Sequence, residues 1–128
     1  MSVRDILATH PARDTFDLDE LAAAIEACLD ASAHCDVCAG ACLGEDEAMG
    51  DCVRACLRTA DVARATAAIL SRPAPGGTDW RAQVEACITS TEACEQLCRQ
   101  HGHDHCELCA DACRNAADSC RALLEAAG

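Results

Sequence analysis

The chain has 128 residues, room for one domain, and a formal net charge of −12, from 22 acidic side chains against ten arginines and no lysine. That balance argues against nucleic acid or an anionic membrane as a partner, and no apolar run approaches spanning length. Of 65 nominally hydrophobic residues, 28 are alanine and 13 are cysteine, with only 20 Leu, Ile and Val, one Phe, one Trp and no Tyr. So few bulky side chains cannot fill an ordinary bundle core. The helices must pack very closely, or something else must fill or cross-link the interior.

In chain order, residues 1–17 predict a short helix and strap. Ser2 is the N-cap, Ile6 and Leu7 form a small apolar face, and His10-Pro11 stops the helix. No signal-peptide core is visible here, so the expected compartment is cytoplasmic, where thiols stay reduced. The first long helix is expected at about 18–43, closed by Gly44, and the second at about 46–72, opened by Asp46. "PAPGG" at 73–77 reads as a linker. The third helix is expected at about 79–101, Gly102 makes a tight turn, and the fourth runs over about 103–127. Short connections between four long helices predict an all-α fold. It is an antiparallel up-down-up-down four-helix bundle over 18–128, preceded by the short N-terminal helix.

The cysteines carry the chemistry. "HCDVCAGACLGED" (34–46) and "HCELCADACRN" (105–115) both contain His-Cys-x-x-Cys-Ala-x-Ala-Cys, with thiols at helical spacing where a core face would carry leucines. Thirteen is odd, so internal disulfides cannot use every thiol. Helix neighbours three or four apart also hold their Cβ atoms about 5–6 Å apart, too far for a disulfide. That spacing suits a metal ion between sulfurs.

Stacking the helices antiparallel sorts the thiols into layers below an open mouth. The outermost layer is Cys42, Cys52, Cys98 and Cys106, and the next is Cys38, Cys56, Cys94 and Cys109. A third holds Cys35 and Cys113 with Thr59 and Thr91, and a fourth Cys87 with Ala31, Ala63 and Ala116. A fifth holds Cys28 and Cys120 with Thr66 and Val84, above an apolar plug of Leu21, Ile25, Leu70, Leu123 and Leu124.

Structural zinc needs only one or two closed tetrahedra, and iron–sulfur clusters commonly sit on loops. Soft thiolates select Cu(I), which accepts low coordination; sulfurs on successive turns would give near-linear sites. One Cu⁺ per thiolate also leaves an uncharged interior. Met49, His101, His103 and His105 gather at the mouth as further candidate ligands, while His34 flanks the thiol face and His10 belongs to a turn. No nucleophile–base pair or open metal site argues for an enzyme. The reading is a Cu(I) storage or buffering protein. A copper chaperone or sensor with few sites, or a structural zinc or iron–sulfur bundle, stands as the alternative.

The chain resembles the cytosolic branch of the bacterial copper storage proteins, which are cysteine-rich four-helix bundles. The resemblance rests on "ILATHPAR", "CDVCAGACLGED", "CVRACLRTADVARATAAILSR", the turn "HGHDHC" and "CELCADAC". It implies many Cu(I) ions held by cysteines on the inner helix faces, and a tetrameric assembly. The chain departs from its relatives where they place further cysteines, at Ala24, Ala31, Thr59, Ala63, Thr91 and Ala116. It carries Cys56 where some relatives have none. A metal column dense at the mouth and thin or broken in the middle is therefore expected.

Overall fold

A computed structural model of the chain describes residues 1–74 and 77–127. Helix α1 spans Val3–Leu7, α2 Leu18–Leu43, α3 Gly50–Leu70, α4 Trp80–Arg99 and α5 Asp104–Ala126, with a single 3-10 turn at Arg13–Thr15. No strand occurs among the described residues. Each long helix packs on its two neighbours in the ring α2–α3–α4–α5, the up-down-up-down arrangement that short connections impose. Pro75 and Gly76 of the predicted linker lie outside the described residues.

Local chemistry fixes the ends. The Asp5 N–H donates to Ser2 Oγ (3.2 Å) and the Ser2 N–H to Asp5 Oδ2 (2.9 Å), a reciprocal cap that lets a five-residue helix form. Arg4 pairs with Asp19 at 2.6 Å and Leu7 is buried, so α1 lies across the end of the bundle away from the mouth. Asp17 opens α2 by accepting the Glu20 N–H at 2.9 Å. Gly102 has φ +72°, the one positive φ among the described residues, and this conformation lets α4 turn directly into α5.

The second bundle helix begins later than the sequence suggested. Asp46 caps nothing; α3 opens at Gly50 with Met49 as its N-cap, and 45–49 form a loop over the mouth. Two contacts hold that loop off the helix axis. Glu45 and Glu47 pair with His103 and His105 of the opposite turn, and Met49 is buried at 3% exposure beneath it. Helices α4 and α5 are also slightly shorter than expected, because the Gln100–His103 turn takes the residues between them.

The interior is built from small side chains. Ala24, Ala31, Ala60, Ala63, Ala110, Ala116 and Ala117 are fully buried, and all 13 cysteines are buried. Two clusters divide the core. The closed end holds Leu7, Leu21, Ile25, Leu70, Val84 and Leu123 with Cys28, Cys87 and Cys120, and half-buried Phe16, Leu18, Trp80 and Leu124 pack on it. The mouth half holds Cys35, Cys38, Cys42, Cys52, Cys56, Cys94, Cys98, Cys106, Cys109 and Cys113, with Met49. Cross-helix pairs such as Arg64–Asp36 (2.7 Å) and Arg99 with Glu107 and Asp111 lie at the exposed surface, where solvent screens them and they add little to stability.

Candidate metal centre

Every cysteine is a free thiol, and all 13 side chains face the bundle axis or the mouth. Four sulfur groups form. Cys38, Cys42, Cys52 and Cys106 lie outermost; Cys38, Cys56, Cys98 and Cys109 come next; Cys35, Cys94, Cys109 and Cys113 follow; Cys28, Cys87 and Cys120 lie deepest. Within each, the sulfurs fall within 4.8 Å of one another. Cys38 and Cys109 each belong to two groups, so neighbouring groups share ligands.

This corrects the predicted layering in one consistent way. Each α4 thiol sits one step deeper than expected: Cys98 joins Cys38, Cys56 and Cys109; Cys94 joins Cys35 and Cys113; Cys87 joins Cys28 and Cys120. Helical spacing orders the thiols along each helix but does not fix the axial offset of α4 against its neighbours, and that offset carries all three α4 thiols one step inward.

Sulfur separations fix the coordination the pocket favours. They are 3.6 Å for Cys35–Cys113 and Cys35–Cys109, 3.7 Å for Cys52–Cys98, 3.8 Å for Cys56–Cys98 and 3.9 Å for Cys56–Cys109. The same-helix pairs Cys38–Cys42, Cys94–Cys98 and Cys52–Cys56 lie at 3.9, 3.9 and 4.0 Å. With metal–sulfur bonds of about 2.3 Å, three-coordination spaces sulfurs by about 4.0 Å and four-coordination by about 3.8 Å, whereas a linear site needs about 4.6 Å. The near-linear sites expected from helical spacing therefore do not match the resting geometry. Sulfurs from different helices come as close as those on successive turns, and shared three-coordinate sites fit with little movement.

Proton placement follows the same groups. Burial holds Cys42 above its ordinary value and pushes Cys52 and Cys106 up to about 12. One sulfur per group is favoured as thiolate by hydrogen bonds from its neighbours. Cys38 is lowered by Cys109, Cys56 and Cys98, and Cys94 by Cys109 and Cys113. Cys87 comes down to about 3 through Cys120 and Cys28.

Between the deep trio and the other ten cysteines lies a band without sulfur. Cys28 to Cys35, Cys87 to Cys94 and Cys113 to Cys120 are each seven residues apart, a rise of about 10 Å. Fully buried Ala31, Ala63, Ala116 and Thr91 occupy these levels, with fully buried Thr59 at their mouth-side edge. The threonine hydroxyls are already engaged: Thr59 Oγ1 with Ser90 Oγ at 2.9 Å, and Thr91 Oγ1 donating to the Cys87 carbonyl at 2.7 Å. No free soft donor remains in the band, and one ion between two sulfurs spans less than half of it.

At the mouth the turn histidines part company. His105 Nδ1 lies 3.4 Å from Cys38 Sγ and 3.6 Å from Cys106 Sγ, beside the outermost group. His103 stacks on His105, with ring centres 5.4 Å apart and planes 6° from parallel, but pairs with Glu45 and Glu47 rather than a thiol. His101 turns toward Asp51, 3.6 Å away, and its buried Nε2 makes no hydrogen bond. Met49 is buried among the mouth cysteines. A shallow cavity of about 270 Å³ opens beside them, lined by Cys42, Met49, Glu45 and Glu47 among others. His34 hydrogen-bonds the Asp30 carbonyl in its own helix, and His10 Nδ1 accepts the Ala12 N–H, away from the thiols. The role of Glu45 and Glu47 was missed in the sequence because they lie 56 to 60 residues from their histidine partners.

The model of one protein family, copper storage protein, matches residues 17–125. A structure of the copper storage protein Ccsp from Streptomyces lividans, loaded with 10 copper equivalents, is 39% identical. It superposes with a TM-score of 0.92 over 98% of this chain and 99% of that one. A cytosolic copper storage protein from the same organism, with five coppers, is 40% identical, with a TM-score of 0.82 over 86% of this chain and 96% of that one. The uncharacterized cysteine-rich protein YhjQ of Bacillus subtilis (strain 168) is 33% identical over 104 residues, covering 79% of this chain and 93% of that protein.

Proposed function

The chain belongs to the copper storage protein family and copper is its cargo; on that premise we propose that its 13 buried cysteines hold multiple Cu(I) ions in two separate stores. The mouth store comprises Cys35, Cys38, Cys42, Cys52, Cys56, Cys94, Cys98, Cys106, Cys109 and Cys113. The deep store comprises Cys28, Cys87 and Cys120. The observation that carries this reading is the chain of shared sulfur groups, spaced 3.6–4.0 Å apart and interrupted once. Soft thiolates select Cu(I) over the harder divalent ions, and each Cu⁺ cancels the charge of one thiolate inside a core that could not tolerate net charge.

Copper enters at the mouth in this account. Met49 and His105 lie beside Cys42, Cys38 and Cys106 and hand the ion to the outermost thiols, after which it moves inward by thiolate exchange. The role is storage without catalysis, and the bundle over 18–128 is the metal-holding unit, with 1–17 as the strap that seals its far end. A cytoplasmic location is supported by the free thiols and by the relative described as cytosolic. Among the described residues no helix is long and apolar enough to cross a membrane. Assembly into a homotetramer is supported by the family resemblance and by exposed Val37, Leu43 and Leu108.

Anaerobic titration of the reduced protein with Cu(I), in competition with a strong Cu(I) chelator, tests the reading. Many ions per chain are expected, approaching one per cysteine. Saturation at one or two ions would replace storage with the role of a chaperone or sensor.

A further inference from the structure

The deep trio is poorly placed to trade copper with the mouth. Between the two stores lies a rise of about 10 Å occupied by Ala31, Ala63, Thr91 and Ala116, none of which offers a soft donor. All four sit mid-helix, where neither the short side chain nor the backbone can swing aside. An ion crossing there would leave every thiolate behind and stand as an unpaired charge in an apolar core. Toward the closed end the barrier is thinner. Ile25, Val84 and Leu123 each stand three residues from Cys28, Cys87 and Cys120, a rise of about 4.5 Å. With Leu70 they form a single buried layer over the trio.

A cavity of about 550 Å³ opens beyond that layer. Leu21, Leu70 and Leu123 line it with Phe16, Trp80 and Ala126, so two of the four covering side chains are also part of its wall. Both belong to helix ends: Leu70 is the last residue of α3, and Leu123 lies in the last turn of α5. A last turn lacks part of its intrahelical hydrogen bonding and opens at far lower cost than a helix middle. The closed end therefore opens more readily than the band does.

We propose that the deep store exchanges its copper through this closed end, with a small-molecule thiol seated in the cavity as the carrier and Leu70 and Leu123 as the gate. The cavity is of a size that takes small molecules, and a thiol is the soft ligand that Cu(I) one layer beneath it selects. In each exchange a bond from copper to the carrier sulfur forms as one to a cysteine sulfur breaks, and the carrier's thiol proton passes to the released cysteine. Copper stays Cu(I), and no charge is stranded in the core. The mouth then serves the ten-sulfur store alone. This inference rests on the two-store reading and adds to it a second door.

The test is anaerobic copper release from the loaded protein to excess Cu(I) chelator, with 2-mercaptoethanol as the carrier. The slow phase should quicken as the carrier concentration rises. L123A removes a gate side chain and should make that phase at least about 10-fold faster. A126F fills the cavity from an exposed position, so the core is untouched, and it should slow the same phase several-fold. The fast phase should be the same in all three proteins. Circular dichroism checks the fold of L123A, and A126F carries the test alone if L123A does not fold. Equal slow phases in the wild type and A126F would overturn the proposal, as would A126F slowing both phases alike. The copper content of saturated C87A, measured alongside, tells the two failures apart. A content equal to that of the wild type removes the deep store itself, whereas a lower content with a slow phase indifferent to A126F removes only the closed-end route.

Discussion

Replacing Cys87 with alanine should empty the deep store and leave the mouth store intact. Cys28 Sγ lies 3.8 Å from Cys87 and 3.7 Å from Cys120, so a three-coordinate ion with bonds of about 2.3 Å needs each pair to open by only about 0.2–0.3 Å. Without Cys87, the remaining pair must open by about 0.9 Å to bind linearly, inside a close-packed core where both side chains are fully buried. Loss of one of three bonds and this resistance should weaken copper there at least about 100-fold, or about 2.7 kcal/mol. Truncating one buried sulfur should cost the apo fold only about 1 kcal/mol, which a denaturation curve separates from the metal effect. The assay is anaerobic copper release to excess chelator. In the wild type two phases are expected. The slow phase should carry about a quarter of the copper, in proportion to three of 13 thiols, because the band of about 10 Å offers no sulfur to exchange through. Cys87→Ala should lose the slow phase alone. A single phase in the wild type, or an equal fall of both phases in the variant, would refute the two-store reasoning.

Filling the outermost group at pH 7 should release about three protons, chiefly from Cys42, Cys52 and Cys106, which burial holds above the ordinary thiol value, and less from Cys38, which its neighbours lower. Affinity should therefore rise with pH through the neutral range. Calorimetry in buffers of different ionisation enthalpy counts the protons, and fewer than one would contradict the assignment. Replacing Cys42, Cys52 and Cys106 together should slow initial Cu(I) uptake more than replacing Cys28 and Cys120, measured by stopped-flow; equal effects would remove the mouth from the route. Thr91→Cys puts a sulfur four residues from Cys87 and three from Cys94, and should merge the two release phases into one. Copper at 1,000 times its dissociation constant should stabilise the bundle by about 4 kcal/mol, visible as a higher melting temperature and absent with Mg(II).

The helices and the inward face of every thiol were legible because Ala-rich runs, caps and the three-and-four cysteine spacing all act locally. A thinning of the column was legible too, since Ala31, Thr59, Ala63, Thr91 and Ala116 fall at cysteine positions of the same helix faces, but the expected layer of Ala31, Ala63 and Ala116 still held Cys87, and only its place beside Cys28 and Cys120 leaves the band free of sulfur. Three features were not. The inward step of Cys87, Cys94 and Cys98 is an axial offset of α4 against its neighbours, which helical spacing within one helix does not fix. Asp46 has the chemistry of a cap, but the grip of Glu45 and Glu47 on the distant histidines delays α3 to Gly50. The differing surroundings of His101, His103 and His105, three alternate residues of one turn, arise from carboxylates on another loop.

The central claim is that two copper stores are separated by a sulfur-free band. Anomalous scattering from crystals of the fully copper-loaded protein tests it most directly. Copper is expected among the ten mouth-half cysteines and again within Cys28, Cys87 and Cys120, with none at the level of Ala31, Ala63, Thr91 and Ala116. Copper running unbroken through that level, or a deep trio that stays empty at saturation, would contradict it.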